Sequence, residues 1–223
     1  MPASQLLPGA AAAPNPALPT VGAPLPVITP YAQPVLLGLP SVNWLDTFQG
    51  EACYEAKTYY RIPLTSGESD AVQILRILNK LILDYAGNPC VIGFAQCLVQ
   101  TLAVPNDKTA QLAAVVNFMS AGVVYQADPN GIEYVRSPVQ MLRDYESNGL
   151  TRGDCDDQVL LVGALLGALG ITVQAIGLRV AGSATFNHVI AQINRGGTWQ
   201  DYDPCNPDAP WTAYGADRLI PAP

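Results

Sequence analysis

The sequence predicts an α+β fold, with helices through its first and middle parts and a small antiparallel sheet behind them. Three observations carry this expectation. Apolar residues recur at helical spacing from Val72 to Tyr85, and residues 154–169 are apolar nearly all round. Behind them, three stretches rich in β-branched and aromatic residues succeed one another with turn residues between. With 49% hydrophobic and 13% charged residues over 223 positions, the chain can bury a sizeable core in one domain carrying extra segments.

Taken in order, residues 1–40 hold ten of the twenty prolines and no charged side chain; the first charge is Asp46. Proline at this density opposes helix and central strand and favours an extended, polyproline-like chain. Disordered tails are usually polar and charged, whereas this stretch carries Leu, Val, Ile and Tyr31. An extended apolar arm suited to lying along another subunit is therefore expected. Residues 41–67 read as a short β segment or linker around "ACYEAKTYYRI". The main domain is expected over 68–210, with a C-terminal tail at 211–223.

Within the domain, Val72, Leu75, Leu78, Ile82 and Tyr85 mark a first helix, stopped by Gly87 and Pro89. A second helix is expected over about 90–103 and a third over "DKTAQLAAVVNFMSAGVVY". Ser137-Pro138 starts a fourth, with Ser as cap and Pro at the first helical position, and Gly149 ends it. The helix from Asp154 to Leu169 has apolar residues on every side, so it belongs inside the core, and Gly170 is its stop. The strands are "ITVQAIGLRV", "NHVIAQI" and "TWQDYD", the last two joined through Arg195-Gly196-Gly197.

Charge and cysteine content narrow the function. A net charge of −7 without a Lys/Arg cluster speaks against nucleic-acid binding and a basic membrane-binding face. No apolar run is long enough for a membrane span, and the N-terminus lacks a secretory-signal pattern. The five cysteines are scattered, with no CxxC pair, and are expected mostly reduced and buried in a reducing compartment, with room for one disulfide.

The stretch "GDCDDQ" raises the chemical question. Cys155 opens the buried helix, His188 (the chain's one histidine) opens a strand, and Asp203 ends the neighbouring strand. Nucleophilic catalysis by cysteine needs a thiolate, a base to form it and a third group to orient that base. A helix N-terminus favours the thiolate, and an adjacent sheet can bring His and Asp into line. The flanking Asp154, Asp156 and Asp157 suit the cap and first turn of the helix. A metal site is not expected, because neighbouring carboxylates on one helical turn diverge and thiolate and carboxylate prefer different ions. No cofactor is expected.

"GDCDDQVLLVGALLGALGI", "FNHVIAQI" and "GTWQDYDP" together resemble the three motifs of the transglutaminase-like cysteine-enzyme superfamily, which has a papain-like α+β core. The resemblance implies Cys155 as nucleophile, His188 as base and Asp203 as the residue orienting His188. Asp203, rather than Asp201, stands four residues after Trp199, as that family's aspartate follows its tryptophan. With "VVYQADPNGIEYVRSPVQML" upstream, the likeness extends to small transglutaminase-like proteins encoded among structural genes of tailed bacteriophages, over roughly residues 70–205. It implies a virion-associated protein, assembled in the host cytoplasm and bound to other virion proteins through residues 1–40. The implied substrate is a peptide or peptidoglycan-type amide, or a glutamine side chain. The alternative is a non-catalytic virion structural protein that uses the fold as a scaffold.

Overall fold

The structure, a computed structural model, describes residues 59–61, 68–102, 106–128, 134–180, 182–208, 210–211, 214 and 217–221. The expected arm at 1–40 lies outside the described residues, as does most of 41–67. The elements in order are β1 (Tyr59–Arg61), α1 (Glu68–Ala86), α2 (Pro89–Leu102), α3 (Lys108–Gly122), β2 (Val123–Tyr125), β3 (Tyr134–Arg136) and α4 (Pro138–Asn148). There follow β4 (Thr151–Gly153), α5 (Cys155–Ala168), β5 (Val173–Arg179), β6 (His188–Arg195), β7 (Thr198–Tyr202) and β8 (Asp217–Leu219). Helices precede an antiparallel sheet, the α+β order read from the sequence.

Local chemistry fixes most helix ends. Asn88 Oδ1 accepts the Cys90 N–H at 2.9 Å, which starts α2 with Pro89 in its first turn. Asp107 caps α3 through the N–H groups of Thr109 and Ala110 at 2.9 and 3.1 Å. Ser137 caps α4 through Gln140 N–H, and Gly149 closes it in the left-handed conformation at φ 73°. At the end of α5, Gly170 (φ 72°) lets Gly170 N–H reach Gly167 C=O and Ile171 N–H reach Leu166 C=O, both at 2.9 Å. That pairing is a Schellman stop and satisfies carbonyls the helix leaves open.

One expected helix is too long. α3 ends at Gly122, and Val123–Tyr125 turn into a strand paired parallel with Thr151–Gly153. Val123 and Val124 are β-branched, and the partner strand supplies the ladder that the helical pattern could not anticipate. The segment expected as a C-terminal tail also departs: Asp217–Leu219 form β8, which pairs antiparallel with β5 at the sheet edge.

The main sheet has the order β7-β6-β5-β8, with every neighbour antiparallel. Gly196 and Gly197, at φ 63° and 95°, make the two-residue turn between β6 and β7, where positive φ at both positions matches the twist of the strands. Among the described residues α5 is the central element, packed against the four other helices and against β5 and β6. Val159 through Val162 and Ala164 through Leu166 are fully buried.

The closest approach of α1 to α5 depends on small residues. A Cβ at Gly163 would stand 2.7 Å from Ile82 Cγ1, and one at Gly167 2.8 Å from Ala86 Cβ. Both pairs are spaced one helical turn apart, so two glycines of α5 receive two side chains of α1. Ile82 is buried and cannot swing away. Gly163→Ala is therefore expected to destabilise the fold by about 1–3 kcal/mol through overpacking, despite alanine's better helix propensity. Urea unfolding checks this, and an unchanged or raised midpoint would contradict it. Among the described residues, no single helix is long and apolar enough to cross a membrane.

Candidate active site

Cys155 is the first residue of α5, directly after Asp154, which occupies the cap position. The short strand β4 delivers the chain there, and Gly153 makes the turn possible. A Cβ on Gly153 would lie 2.5 Å from Asp157 Cβ and 2.7 Å from its Oδ2. Asp157 needs that space because it ties three segments together. Its Oδ1 accepts Arg136 N–H from β3 at 2.5 Å, and its Oδ2 accepts Asp154 N–H at 3.3 Å.

Asp154, Asp156 and Asp157 each bring an oxygen to within 4.8 Å of the others. This corrects the expectation that these carboxylates diverge. They converge because two of them turn back onto backbone: Asp157 as described, and Asp156 through Oδ1, which accepts Asp157 N–H at 2.7 Å. Three full negative charges beside a thiol would oppose its ionisation. Burial, reinforced by the charge of Asp154 and only partly offset by the Arg136 and Asp154 N–H groups, raises the Asp157 carboxyl to about 7. Below that pH Asp157 is mostly neutral, which lightens the charge around the thiol.

The Asp157 shift also makes a stability prediction. Its folded pKa lies above the ordinary 3.8, so between the two values the native state holds a proton that the unfolded chain has released. Stability from this group therefore falls as pH rises from about 4 to 7, with a slope of at most about 1.4 kcal/mol per pH unit. Urea unfolding at pH 5 and pH 7 measures it. Asp157→Asn is expected to flatten the slope, and an unchanged slope in that variant would assign it elsewhere.

His188 begins β6, and Asp203 directly follows β7, which runs antiparallel beside it. His188 Nε2 and Asp203 Oδ2 are 2.9 Å apart. Asp203 is almost fully buried. Burial alone would raise its pKa, but hydrogen bonds from His188, Tyr214 and Cys205 N–H, with the imidazole charge, outweigh it and hold the carboxyl below its ordinary value. An ionised carboxylate only accepts, so Nε2 carries the proton and Nδ1 is the acceptor of the neutral ring.

Cys155 and His188 line one cavity of about 430 Å³, together with Asp70 of α1, Tyr125 of β2, Asp154 and Phe186. The structure thus places the three expected residues in one neighbourhood: thiol and imidazole on a shared cavity, imidazole and carboxylate hydrogen-bonded. Asp201 lies elsewhere. It accepts two bonds from Arg218, at 2.9 and 2.6 Å, and one from Gln192 at 3.0 Å.

Sequence reasoning missed Tyr214 and Tyr125. The Tyr214 hydroxyl donates to Asp203 Oδ2, although the residue falls in the stretch taken as a tail. Tyr125 was read as the end of a helix and instead stands on the cavity wall. Its pKa is raised, first by burial and then by Cys155 and Asp154, so its hydroxyl stays protonated at neutral pH. The Cys205 thiol is pushed far up, chiefly by burial and then by Cys155 and Asp203, so it is a poor competing nucleophile.

At the level of sequence the chain matches no family description and no curated protein. Solved structures with partial likeness exist. A candidate protease from Parabacteroides distasonis aligns at 16% identity and a TM-score of 0.46, over 59% of this chain and 26% of that one. The periplasmic domain of TgpA from Pseudomonas aeruginosa aligns at 19% identity and 0.39, over 54% and 45%. A candidate cysteine protease from Cytophaga hutchinsonii aligns at 17% and 0.33, over 65% and 45%. This chain therefore spans less than half of each of those structures.

The disulfide that the sequence left open falls at Cys90. Cys90 is disulfide-bonded, whereas Cys97, Cys155 and Cys205 are not. Nothing in the spacing along the chain signals such a bond, because folding alone brings distant thiols together. Alkylation in denaturant without reductant is expected to modify Cys97, Cys155 and Cys205 but spare Cys90 until a reductant is added. Modification of Cys90 without reductant would contradict the bond.

Proposed function

We propose that the protein is a cysteine-dependent acyl-transfer enzyme, a hydrolase or cross-linking acyltransferase acting on amides. One observation carries the reading: the thiol at the N-terminus of a buried helix shares a cavity with an imidazole whose other nitrogen is held by a buried carboxylate. Those are the three roles that nucleophilic cysteine chemistry requires.

In the proposed reaction, His188 Nδ1 takes the Cys155 proton as Sγ bonds to the amide carbonyl carbon and the carbonyl π pair moves to oxygen. The positive end of the α5 dipole favours the negative charge that forms there. The oxyanion then collapses, the C–N bond breaks, and the imidazolium protonates the departing nitrogen. Water or an amine next attacks the thioester while His188 again removes its proton, and Sγ leaves and takes that proton back from the imidazolium, which regenerates the thiol. Asp203 keeps the imidazole in the Nε2–H tautomer and stabilises its protonated form. The substrate class is a peptide bond, a peptidoglycan cross-link or a glutamine side chain.

Incubation with dimethylcasein and a fluorescent primary amine, and separately with peptidoglycan fragments, tests the proposal. Product formation, together with an acyl adduct trapped on Cys155 and absent in Cys155→Ala, is the expected result. Neither product nor adduct with any of these amides would count against it.

Attachment to a tailed-phage particle through residues 1–40 is a second proposal, supported by the proline-rich, uncharged composition of that stretch. Deleting those residues should abolish incorporation into particles and leave the domain folded. Normal particles without the arm would refute it.

A further inference from the structure

We propose that Tyr214 is a positioning residue for His188, and that Arg218, clamped on Asp201, holds it there. The inference builds on the acyl-transfer reading but concerns a part of the chain that reading does not use.

Asp203 has little freedom left. Its Oδ2 accepts from both His188 Nε2 and the Tyr214 hydroxyl, and its Oδ1 accepts from Cys205 N–H at 2.9 Å. Without the hydroxyl, Oδ2 would answer only to His188, and the carboxylate could follow the ring instead of fixing it. Tyr214 can serve as donor throughout the neutral range, because burial, and then the Asp203 carboxylate itself, push its hydroxyl up to about 12. Its ring meets the His188 ring edge-on, with centroids 6.2 Å apart and planes at 67°. One residue therefore restrains the imidazole in two ways, through the carboxylate and by direct contact.

Besides a hydrogen bond between its hydroxyl and the Asn206 side chain, Tyr214 is held from two sides. Its ring packs against the small buried cluster of Ile176, Leu178 and Ile190. Its carbonyl accepts Arg218 Nη2 at 3.2 Å, and Arg218 makes two bonds to the buried Asp201. Such a forked pair fixes orientation as well as distance. Arg218 is itself fixed by β8, whose Leu219, Arg218 and Asp217 pair with Gly177, Leu178 and Arg179.

The two aspartates of "WQDYDP" thus have linked tasks. Asp203 holds His188, while Asp201 holds Arg218, which in turn holds the residue whose hydroxyl bonds Asp203. The register explains how two residues so close in sequence divide this work: Asp201 lies within β7 opposite Gln192, and Asp203 lies just beyond the strand end.

The single histidine makes the test direct, because one imidazole gives one set of ring 15N signals. Wild-type protein is expected to show Nε2 protonated and hydrogen-bonded over the neutral range. Tyr214→Phe keeps the ring and removes the hydroxyl. It should broaden or mix the tautomer signature and slow site-resolved iodoacetamide labelling of Cys155 by about 10-fold, the weight of one hydrogen bond to a charged group. Arg218→Met, which leaves the hydroxyl in place, should move the same signals in the same direction, and it carries the test if Tyr214→Phe fails to fold.

Unchanged 15N signals and pH profile in a folded Tyr214→Phe would overturn the positioning role. A change in Tyr214→Phe with none in Arg218→Met would overturn the part given to Arg218 and Asp201. The NMR readout does not depend on Cys155 chemistry. Altered imidazole signals in a protein whose Cys155 never reacts would therefore refute the acyl-transfer reading and leave this one standing.

Discussion

Asp203→Ala is expected to lower Cys155-dependent acyl transfer by roughly 100- to 10,000-fold, the usual weight of an oriented acid–base group. The substitution removes the acceptor of His188 Nε2, of the Tyr214 hydroxyl and of Cys205 N–H at once. His188 then loses the partner that fixes its tautomer and balances its charge after it takes a proton. Because the site is buried, the orphaned donors also cost stability. Asp203→Asn separates the two effects: it fills the same space but presents an amide where His188 needs an acceptor, so activity should fall further than the urea midpoint.

The pH behaviour carries a matching sign. Asp203 is held below its ordinary pKa, so its contribution is complete above about pH 4 and is lost only as pH falls through the folded value. Wild-type stability should therefore show an acid-side loss that Asp203→Asn lacks. An Asp203→Ala enzyme with near wild-type turnover would remove the residue from the mechanism.

Leu165→Ala is expected to have the largest effect on stability, about 2–5 kcal/mol by urea unfolding. Leu165 is fully buried on the helix against which, among the described residues, the four other helices and strands β3 to β6 pack. Neighbouring helices cannot close the resulting cavity without losing their own contacts. The same helix sets the position of the thiol at its first residue, so reactivity of Cys155 should fall along with stability. A loss below about 1 kcal/mol would mean that the layer around α5 can collapse, contrary to its central place.

The sequence carried the helices and the three long strands because their signals are local. Ser137-Pro138, Asp107 and Gly170 each act within a few residues of where they stand. The two glycines after Arg195 force a hairpin by their own conformational freedom. β2, β3 and β4 are three residues each, too short for periodicity to show, and exist because a partner strand is present. β8 was illegible for the same reason, and with it Tyr214, whose value depends on a carboxylate eleven positions away.

The candidate site was more legible than the architecture around it. Cys155, His188 and Asp203 stood out by type and by their places at the ends of elements, and the structure gathers them. The geometry of Asp154, Asp156 and Asp157 was misread. Helical spacing alone sends the side chains apart, whereas the demand of backbone N–H groups turns two of them inward.

The most direct test of the central claim is the rate of Cys155 alkylation against pH, resolved by mass spectrometry, in wild type and His188→Ala. Cys97 in the same molecule serves as the reference thiol. Wild-type Cys155 is expected to react faster than Cys97 at neutral pH, and His188→Ala to remove the advantage, by about 10-fold or more. Equal rates at Cys155 and Cys97, or an advantage that survives the loss of His188, would contradict it.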